Sequence, residues 1–176
     1  PPKAFADWTG NPHILSLGSF SKILAPGLRL GWIQAHAEKI QKLSGCGLLD
    51  SGGGLNPFTS AIVREVIESG GLAQNIERLK DIYRSKLKVM DAALRRELPE
   101  LTWKIPQGGY FFWVRLPRGL DAAELNQKAM ENKLIFRPGV RFSSRDGLRD
   151  FIRLSFVFYE PDEIEEGIVR LKRCLE

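Results

Sequence analysis

One lysine, Lys22, lies in residues 16–32, SLGSFSKILAPGLRLGW, among side chains too small to cover it. A lysine acts as a nucleophile only when part of it is neutral, so its pKa, ordinarily about 10.4, must fall through desolvation, nearby positive charge or imine formation. Ser19, Ser21 and the loop amides offer hydrogen-bond donors, and the planar guanidinium of Arg29 suits a phosphate or a carboxylate. These residue types predict an anion site beside an amine.

A small cofactor that carries both an aldehyde and a phosphate would use all of these groups. Pyridoxal phosphate is such a cofactor: the amine of Lys22 would bond to its aldehyde, and the surrounding donors would hold its phosphate. The alternative is that Lys22 is an ordinary loop lysine and Arg29 a surface residue at the start of a strand. Spacing alone favours neither interpretation.

The elements around Lys22 indicate an α/β architecture. The apolar run at residues 14–17 is bounded by turn-forming residues and predicts a buried strand, so Lys22 should follow the end of that strand. A second apolar segment, residues 28–35, predicts another strand, and residues 37–49 predict a helix. Strand, loop, strand and helix in this order are typical of α/β proteins.

Two further helices are predicted between residues 56 and 95. Asn56 followed by Pro57 is a good cap and first-turn pair, and Gly70 with Gly71 should end that helix. The longer helix that follows has one continuous apolar stripe, which we expect to lie in the core: Ile76, Leu79, Tyr83, Leu87, Met90 and Leu94.

Beyond Pro99 the pattern predicts a second, small α+β domain. We place the boundary within the long helix near Arg95, so that the two domains are residues 1–95 and 96–176. The expected elements are strands at 101–105, 110–116, 134–137 and 151–156, with a helix at 121–132 and a closing helix from Asp162. The aromatic residues 110–113 of the second strand alternate between its two faces and are expected to be core first, with Tyr110 a candidate for lining a pocket.

Composition excludes several classes of protein. The apolar fraction of 43% and the charged fraction of 27% are ordinary for a globular chain of 176 residues. The net charge of +5 is spread along the chain, which gives little support for nucleic-acid binding. Cys46 and Cys174 lack metal-ligand spacing, so we predict no metal site and a reducing compartment. No apolar segment reaches the roughly 20 residues that span a bilayer.

The chain begins at Pro1 without a methionine, and we expect it to be a piece of a longer protein.

The residues around Lys22 closely resemble a known family motif. Ser-x-Ser-Lys followed by Gly-x-Arg-x-Gly is similar to the cofactor-lysine segment of fold-type I pyridoxal-phosphate enzymes, the class I and II aminotransferases, and above all to their 2-aminoadipate, kynurenine and aromatic aminotransferase branch. The resemblance covers nearly the whole chain. Its other motifs are SGGGLNPFTS, which resembles the segment that reaches toward the partner subunit, PQGGYFFWVRLP, RPGVRF, and FIRLSF.

The resemblance implies a fold and a set of roles. The chain would be the C-terminal half of the enzyme: part of the large cofactor-binding domain of the pyridoxal-phosphate-dependent transferase fold, then a small α+β domain. Lys22 would bond to the cofactor and later carry a proton between the substrate α-carbon and the cofactor. Arg29, Ser19 and Ser21 would hold the phosphate. Arg153 would bind the α-carboxylate of the amino acid, which fixes the bond that breaks.

Weaker candidates have simpler explanations. Asn56 and Thr59 could approach a phosphate in a neighbouring subunit, but a helix cap explains them equally well. Three arginines could favour an acidic substrate side chain, although a solvated basic rim is the simpler interpretation: Arg137, Arg141 and Arg145. His13 and His36 match no catalytic position of the family and are interpreted as structural.

The resemblance also implies what this half would lack. The acid that pairs with the pyridinium nitrogen and the tyrosine that bonds the ring hydroxyl normally lie upstream. We therefore expect little or no turnover from this piece alone. We also expect it to expose apolar sheet surface.

The leading interpretation is an aminotransferase that is a cytoplasmic homodimer. It would act on an amino acid and a 2-oxo acid, and it would bind neither membrane nor nucleic acid. The alternatives are the effector-sensing domain of a MocR-type transcription regulator and a catalytically silent truncated homologue.

Overall fold

A computed structural model describes residues 4–50 and 54–176 of the chain. It divides into two compact units, Pro1–Lys80 and Asp81–Glu176. The division falls inside the long helix predicted from the apolar stripe, on the N-terminal side of the boundary that we predict near Arg95. The predicted partner-directed segment at residues 51–60 begins with three residues outside the described part of the chain.

The first unit is built on a β-hairpin. Strands β1 and β2 pair antiparallel, with Leu17 opposite Ile33 and Ser19 opposite Gly31. Their bounds are Leu15–Ser19 and Gly31–Ala35, and short 3-10 helices lie at Phe5–Trp8 and Pro26–Leu28. Both predicted strands are therefore confirmed, although the second begins later because residues 26–28 form a helical turn.

The prediction that the first strand is buried is wrong for the described residues. Leu17 is 76% exposed, and Leu15 and Ile33 are also exposed. A two-stranded hairpin buries little apolar surface by itself, because its side chains become buried only when a helix or another sheet packs against its apolar face. This exposure agrees with the expectation of open apolar sheet surface.

Helices complete the first unit. The predicted helix at residues 37–49 is two helices, because Gly45 ends the first of them. Asn56 caps the third: its side-chain oxygen accepts the backbone N–H of Thr59 at 3.4 Å, and Pro57 is the first helical residue, as predicted. The bounds are Ala37–Ser44 for α1, Gly47–Asp50 for α2, Pro57–Glu68 for α3 and Gly71–Glu97 for α4, which extends into the second unit.

The second unit is a four-stranded antiparallel sheet with two helices. The strand order is β3-β4-β6-β5. The strands are β3 Thr102–Trp103, β4 Phe111–Arg115, β5 Arg137–Pro138 and β6 Phe151–Ser155, and the helices are α5 Ala122–Glu131 and α6 Pro161–Leu175. This arrangement confirms the predicted small α+β unit.

One face of this sheet forms the core of the second unit. Phe112 and Val114 of β4 and Ile152 of β6 are fully buried, and they pack with apolar residues of α4, α5 and α6. The predicted stripe of α4 is core only in its C-terminal part, since Met90 and Leu94 are buried while its earlier members are half-buried. The alternating residues of β4 and β6 point to the opposite face.

Two predicted strands are shorter in the structure. Of residues 134–137, only Arg137 enters a strand, because Leu134 donates its backbone N–H to Ala129 and Phe136 donates to the side chain of Asn126, both in α5. Of residues 101–105, only two pair with β4, and Pro106, which lacks an N–H, follows directly. In the described residues, no helix is both long and apolar enough to cross a membrane.

Candidate functional site

Close packing in the hairpin fixes the start of the loop that carries Lys22. Gly18 lies opposite Trp32, and a Cβ atom on Gly18 would overlap the indole ring. A Cβ atom on Gly31 would lie 2.7 Å from the carbonyl oxygen of Gly18, closer than real Cβ contacts allow. The Trp32 ring packs on Phe20, with centroids 4.6 Å apart, and Phe20 is buried. Glycine is therefore required at position 18 for the indole to pack there, and at position 31 for the two strands to approach this closely.

The loop after β1 is closed around the backbone of Phe20. The Phe20 carbonyl oxygen accepts the N–H groups of Ile23, Leu24 and Ala25 at 3.3, 2.9 and 3.2 Å, and the Phe20 N–H donates to Leu30 at 3.1 Å. Lys22 lies on this loop with its side chain exposed. The prediction that Lys22 follows the end of a strand is confirmed.

The predicted phosphate-binding residues lie on the same loop. The Ser19 hydroxyl oxygen accepts the N–H of Ser21 at 3.2 Å, which forms a tight turn ahead of Lys22. Arg29 has a left-handed backbone, with φ of 48°, and its side chain donates to the carbonyl oxygen of Pro26 at 3.0 Å. Ser19 and Arg29 are both exposed. The hairpin thus gathers these residues around one short loop, and their roles stay predictions.

Sequence reasoning did not find the residue that anchors this loop. The side-chain amide of Asn75, near the start of α4, donates a 2.8 Å hydrogen bond to the carbonyl oxygen of Ile23. The two residues are 52 positions apart, and nothing in the sequence around either one indicates the pairing. An amide on a helix that contacts the backbone next to Lys22 restrains the loop independently of the hairpin.

The predicted substrate arginine lies in the second unit, on the face of the sheet opposite the core. Arg153 is in β6, between the buried residues Ile152 and Leu154. Its cross-strand neighbours are Trp113 on β4 and Arg137 on β5. Residues directly opposite each other in an antiparallel pair point to the same face. The open face therefore carries two arginines and an aromatic side chain in one row.

Two aromatic rings flank the guanidinium of Arg153. Its Cζ atom lies 3.9 Å from the ring centroid of Phe111 and 4.5 Å from that of Phe142. Such contacts attract the cation and hold its plane. Phe142 itself packs against Trp113 in a T-shaped arrangement, with centroids 5.5 Å apart. We call Phe111, Trp113, Phe142 and Arg153 the arginine platform.

The platform leaves a donor group without a partner. The Nε atom of Arg153 is buried and makes no hydrogen bond within the described part of the chain. Buried donors in proteins are nearly always paired, so an orphan of this kind calls for an explanation such as a ligand. A carboxylate is the anion that best matches the fork of a guanidinium. The geometry fits the predicted role, which itself stays a prediction.

The Pro-Gly turn that presents Phe142 depends on one glycine. A Cβ atom on Gly139 would overlap the carbonyl oxygen of Leu148 and lie 2.8 Å from the Cβ atom of Phe151. Only glycine lets the two backbone segments approach this closely. The 3-10 helix Gly139–Phe142 can then bring Phe142 over β6.

The aromatic run of β4 is divided between the two faces. Phe112 is core as predicted, but Phe111 is 39% exposed and belongs to the arginine platform. Tyr110 packs edge-on against Tyr83, with centroids 5.6 Å apart. Burial, and to a smaller extent Tyr83, raise the pKa of the Tyr110 hydroxyl. The predicted alternation between the two faces is confirmed, and the expectation that these residues are core is wrong for Phe111.

The weaker candidates are placed as follows. His36 precedes α1 and is half-buried, with a buried Nδ1 atom that has no hydrogen-bond partner among the described residues. The His13 backbone N–H donates to the side chain of Asn11 at 2.9 Å. The basic residues proposed for the rim are all exposed: Arg137, Arg141 and Arg145.

Comparison with known proteins identifies the family. The model of the family "Aminotransferase class I and II" matches residues 3–171. A 2-aminoadipate transaminase of Thermus thermophilus is 38% identical over 95% of this chain and 42% of its own length. The crystal structure of an alpha-aminoadipate aminotransferase from the same species, complexed with N-(5'-phosphopyridoxyl)-L-leucine, superimposes with a TM-score of 0.83 at 36% identity and covers 97% of this chain and 43% of the solved chain.

A regulator is also among the relatives. An uncharacterized HTH-type transcriptional regulator of Bacillus subtilis is 29% identical over 97% of this chain and 35% of its own length. The chain thus spans less than half the length of the curated relatives that it matches. Because the family model covers nearly all of it, the chain belongs to the aminotransferase class I and II family.

Proposed function

We propose that the whole protein is a pyridoxal-phosphate-dependent aminotransferase that moves an amino group between an amino acid and a 2-oxo acid. The match of residues 3–171 to the family model carries this proposal. When bound, pyridoxal phosphate supplies an electron sink for charge that develops on the substrate α-carbon. The residues of this chain fit that cofactor, because an exposed lysine, two hydroxyls and an arginine share one closed loop.

Lys22 is the proposed catalytic residue. Its amine would hold the cofactor covalently through the aldehyde carbon and, once free, would move a proton at the substrate α-carbon as a general base and acid. The loop closed around Phe20, anchored by Asn75, keeps the amine at one place relative to the hairpin. Ser19, Ser21 and Arg29 are proposed to hold the phosphate.

Arg153 is proposed to bind the α-carboxylate of the substrate. Its guanidinium is restrained between Phe111 and Phe142, and its buried Nε has no partner among the described residues. A preoriented fork loses less entropy on binding than a free arginine side chain. Holding the carboxylate fixes which α-carbon bond is aligned for cleavage.

Covalent trapping tests the assignment of Lys22. The full-length protein is mixed with pyridoxal phosphate, reduced with borohydride and digested, and the modified lysine is located by mass spectrometry. We expect the label on Lys22 and its loss in Lys22→Ala. The matched control Lys42→Ala removes an exposed lysine of α1 and should keep the label. A specific label at another lysine would contradict the proposal. So would an unchanged absorbance band of the lysine-bound cofactor in Lys22→Ala.

The assembly and compartment are proposed on weaker grounds. We propose a cytoplasmic homodimer, with an amino acid and a 2-oxo acid as substrates and without nucleic acid or membrane as partners. Both cysteines, the exposed Cys46 and the buried Cys174, are free, as a reducing compartment requires. Light scattering of the full-length protein measures the mass, and a monomer would contradict the dimer. We expect little or no turnover by residues 1–176 alone.

A transcription regulator is the second candidate. The HTH-type relatives, including an Escherichia coli protein 30% identical over the whole chain, favour it. In that case the full gene encodes a DNA-binding segment ahead of this chain, and the full-length protein shifts promoter DNA. Transamination between glutamate and 2-oxo acids without DNA binding would support the enzyme instead.

A further inference from the structure

The row of arginines on the open face of the second unit includes one that the proposed function does not use. Arg137 of β5 and Arg153 of β6 are register partners, so their side chains start about 5 Å apart on the same face. The next pair along, Pro138 and Ile152, is buried on the core side, which confirms this orientation. Two like charges directly opposite each other destabilise a sheet.

Nearby arginines of the same unit are neutralised, whereas this pair is not. Arg115 donates to Asp150 at 2.7 Å, and Arg149 donates to Asp121 at 2.9 Å. Within the described residues, neither Arg137 nor Arg153 forms an ion pair with a carboxylate. The folded unit thus keeps two arginines on one face, at opposing positions of the sheet, without a counter-charge from these residues, and a ligand with two anionic groups would supply it.

We infer that Arg137 is a specificity-determining residue that binds the second, side-chain carboxylate of dicarboxylic substrates while Arg153 binds the α-carboxylate. The two arginines differ in a way that suits these roles. Arg153 is held between two rings, which suits the carboxylate that every substrate shares, whereas Arg137 is exposed and has no aromatic contact among the described residues. A long, free side chain can follow a substrate group whose position varies with chain length.

The inference rests on the proposed function, because Arg153 must bind the α-carboxylate for Arg137 to meet the second one. It also predicts a binding preference that does not require turnover. A charge-assisted hydrogen bond to a carboxylate corresponds to roughly a ten- to hundredfold gain in affinity. Glutarate and pentanoate have five carbons each and differ by one carboxylate, so they isolate the contribution of the second anionic group.

The experiment measures the dissociation constants of glutarate and pentanoate for the full-length holoprotein by calorimetry. We expect glutarate to bind about ten- to hundredfold more tightly, and Arg137→Gln to remove that advantage while it leaves pentanoate unchanged. The matched control Arg118→Gln removes another arginine that has no ion pair in the described chain, and it should preserve the advantage. Steady-state kinetics should show the same pattern, with kcat/KM falling for glutamate and not for leucine.

The outcomes separate this inference from the proposed function. Equal binding of glutarate and pentanoate to the unmodified protein overturns the inference, even if Arg137→Gln does not fold. The inference is also overturned if Arg118→Gln loses the glutarate advantage as much as Arg137→Gln does, because the advantage would then come from the overall positive charge of the protein and not from Arg137. If the unmodified holoprotein transaminates no amino acid at all, the proposed function fails instead.

Discussion

The loop of Lys22 and the platform of Arg153 are stabilised in different ways. The loop is held by backbone hydrogen bonds to the Phe20 carbonyl, by the packing of Phe20 on Trp32 and by the side-chain amide of Asn75. Among the described residues of its unit, the buried hydrophobic side chains are Phe20 and Val63. The platform stands on a sheet whose other face is a dense core. The proposed reactive group on the loop and the proposed binding group on the sheet therefore depend on different parts of the molecule.

The largest expected difference between the two regions is in the cost of losing an apolar side chain. Phe112→Ala should destabilise the second unit by about 3–5 kcal/mol, because Phe112 is fully buried and its removal leaves a cavity. Leu17→Ala in β1 should change stability by less than about 0.5 kcal/mol in this chain, since Leu17 is 76% exposed. Amide hydrogen exchange in β4 and β1 measures both. Equal effects would mean that the hairpin is covered in solution.

A smaller loss of stability is expected when a methyl group is added at the closely packed Gly18 of the hairpin. Gly18→Ala should destabilise β1 and β2 by about 1–3 kcal/mol, because the new methyl group displaces the Trp32 ring from Phe20. Gly10→Ala is the matched control, since a Cβ atom there meets nothing within 4 Å. Hydrogen exchange of the hairpin amides is the measurement, and unchanged exchange in Gly18→Ala would show that the indole does not pack over Gly18.

The smallest effect concerns the pH dependence of the second unit. The hydrogen bond from Arg149, followed by the backbone N–H of Ala123 at the start of α5, holds the pKa of Asp121 below its usual range. A lowered pKa contributes stability that is present above the unfolded value, about 3.9, and is lost as the pH falls through the folded value. Asp121→Asn keeps a capping acceptor but cannot titrate.

We therefore expect Asp121→Asn to cost up to about 1 kcal/mol at pH 7 and progressively less as the pH falls through the lowered pKa of Asp121. Thermal unfolding followed by circular dichroism at several pH values measures the difference. Glu100→Gln, at an exposed carboxylate, is the control. A difference that stays constant from pH 7 to pH 2 would contradict the ion pair with Arg149.

Local patterns were sufficient for most of the secondary structure. Asn56 caps its helix, Gly70 separates two helices, and Lys22 follows a strand, because capping, turn formation and helical periodicity act between residues close in sequence. The predictions failed where a distant partner competed. Leu134 and Phe136 donate hydrogen bonds to α5 rather than to the sheet, and the face of Phe111 depends on the pairing of β4 with β6.

The sequence by itself determined the family, and it singled out Lys22 and the residues around it as candidates, since both follow from one contiguous motif read along the chain. Only the tertiary structure decided which side chains surround Arg153, that Arg137 lies opposite it, and that Asn75 anchors the loop of Lys22. The reason is that strand register and helix packing bring together residues tens of positions apart, and no local pattern of residues encodes those distances.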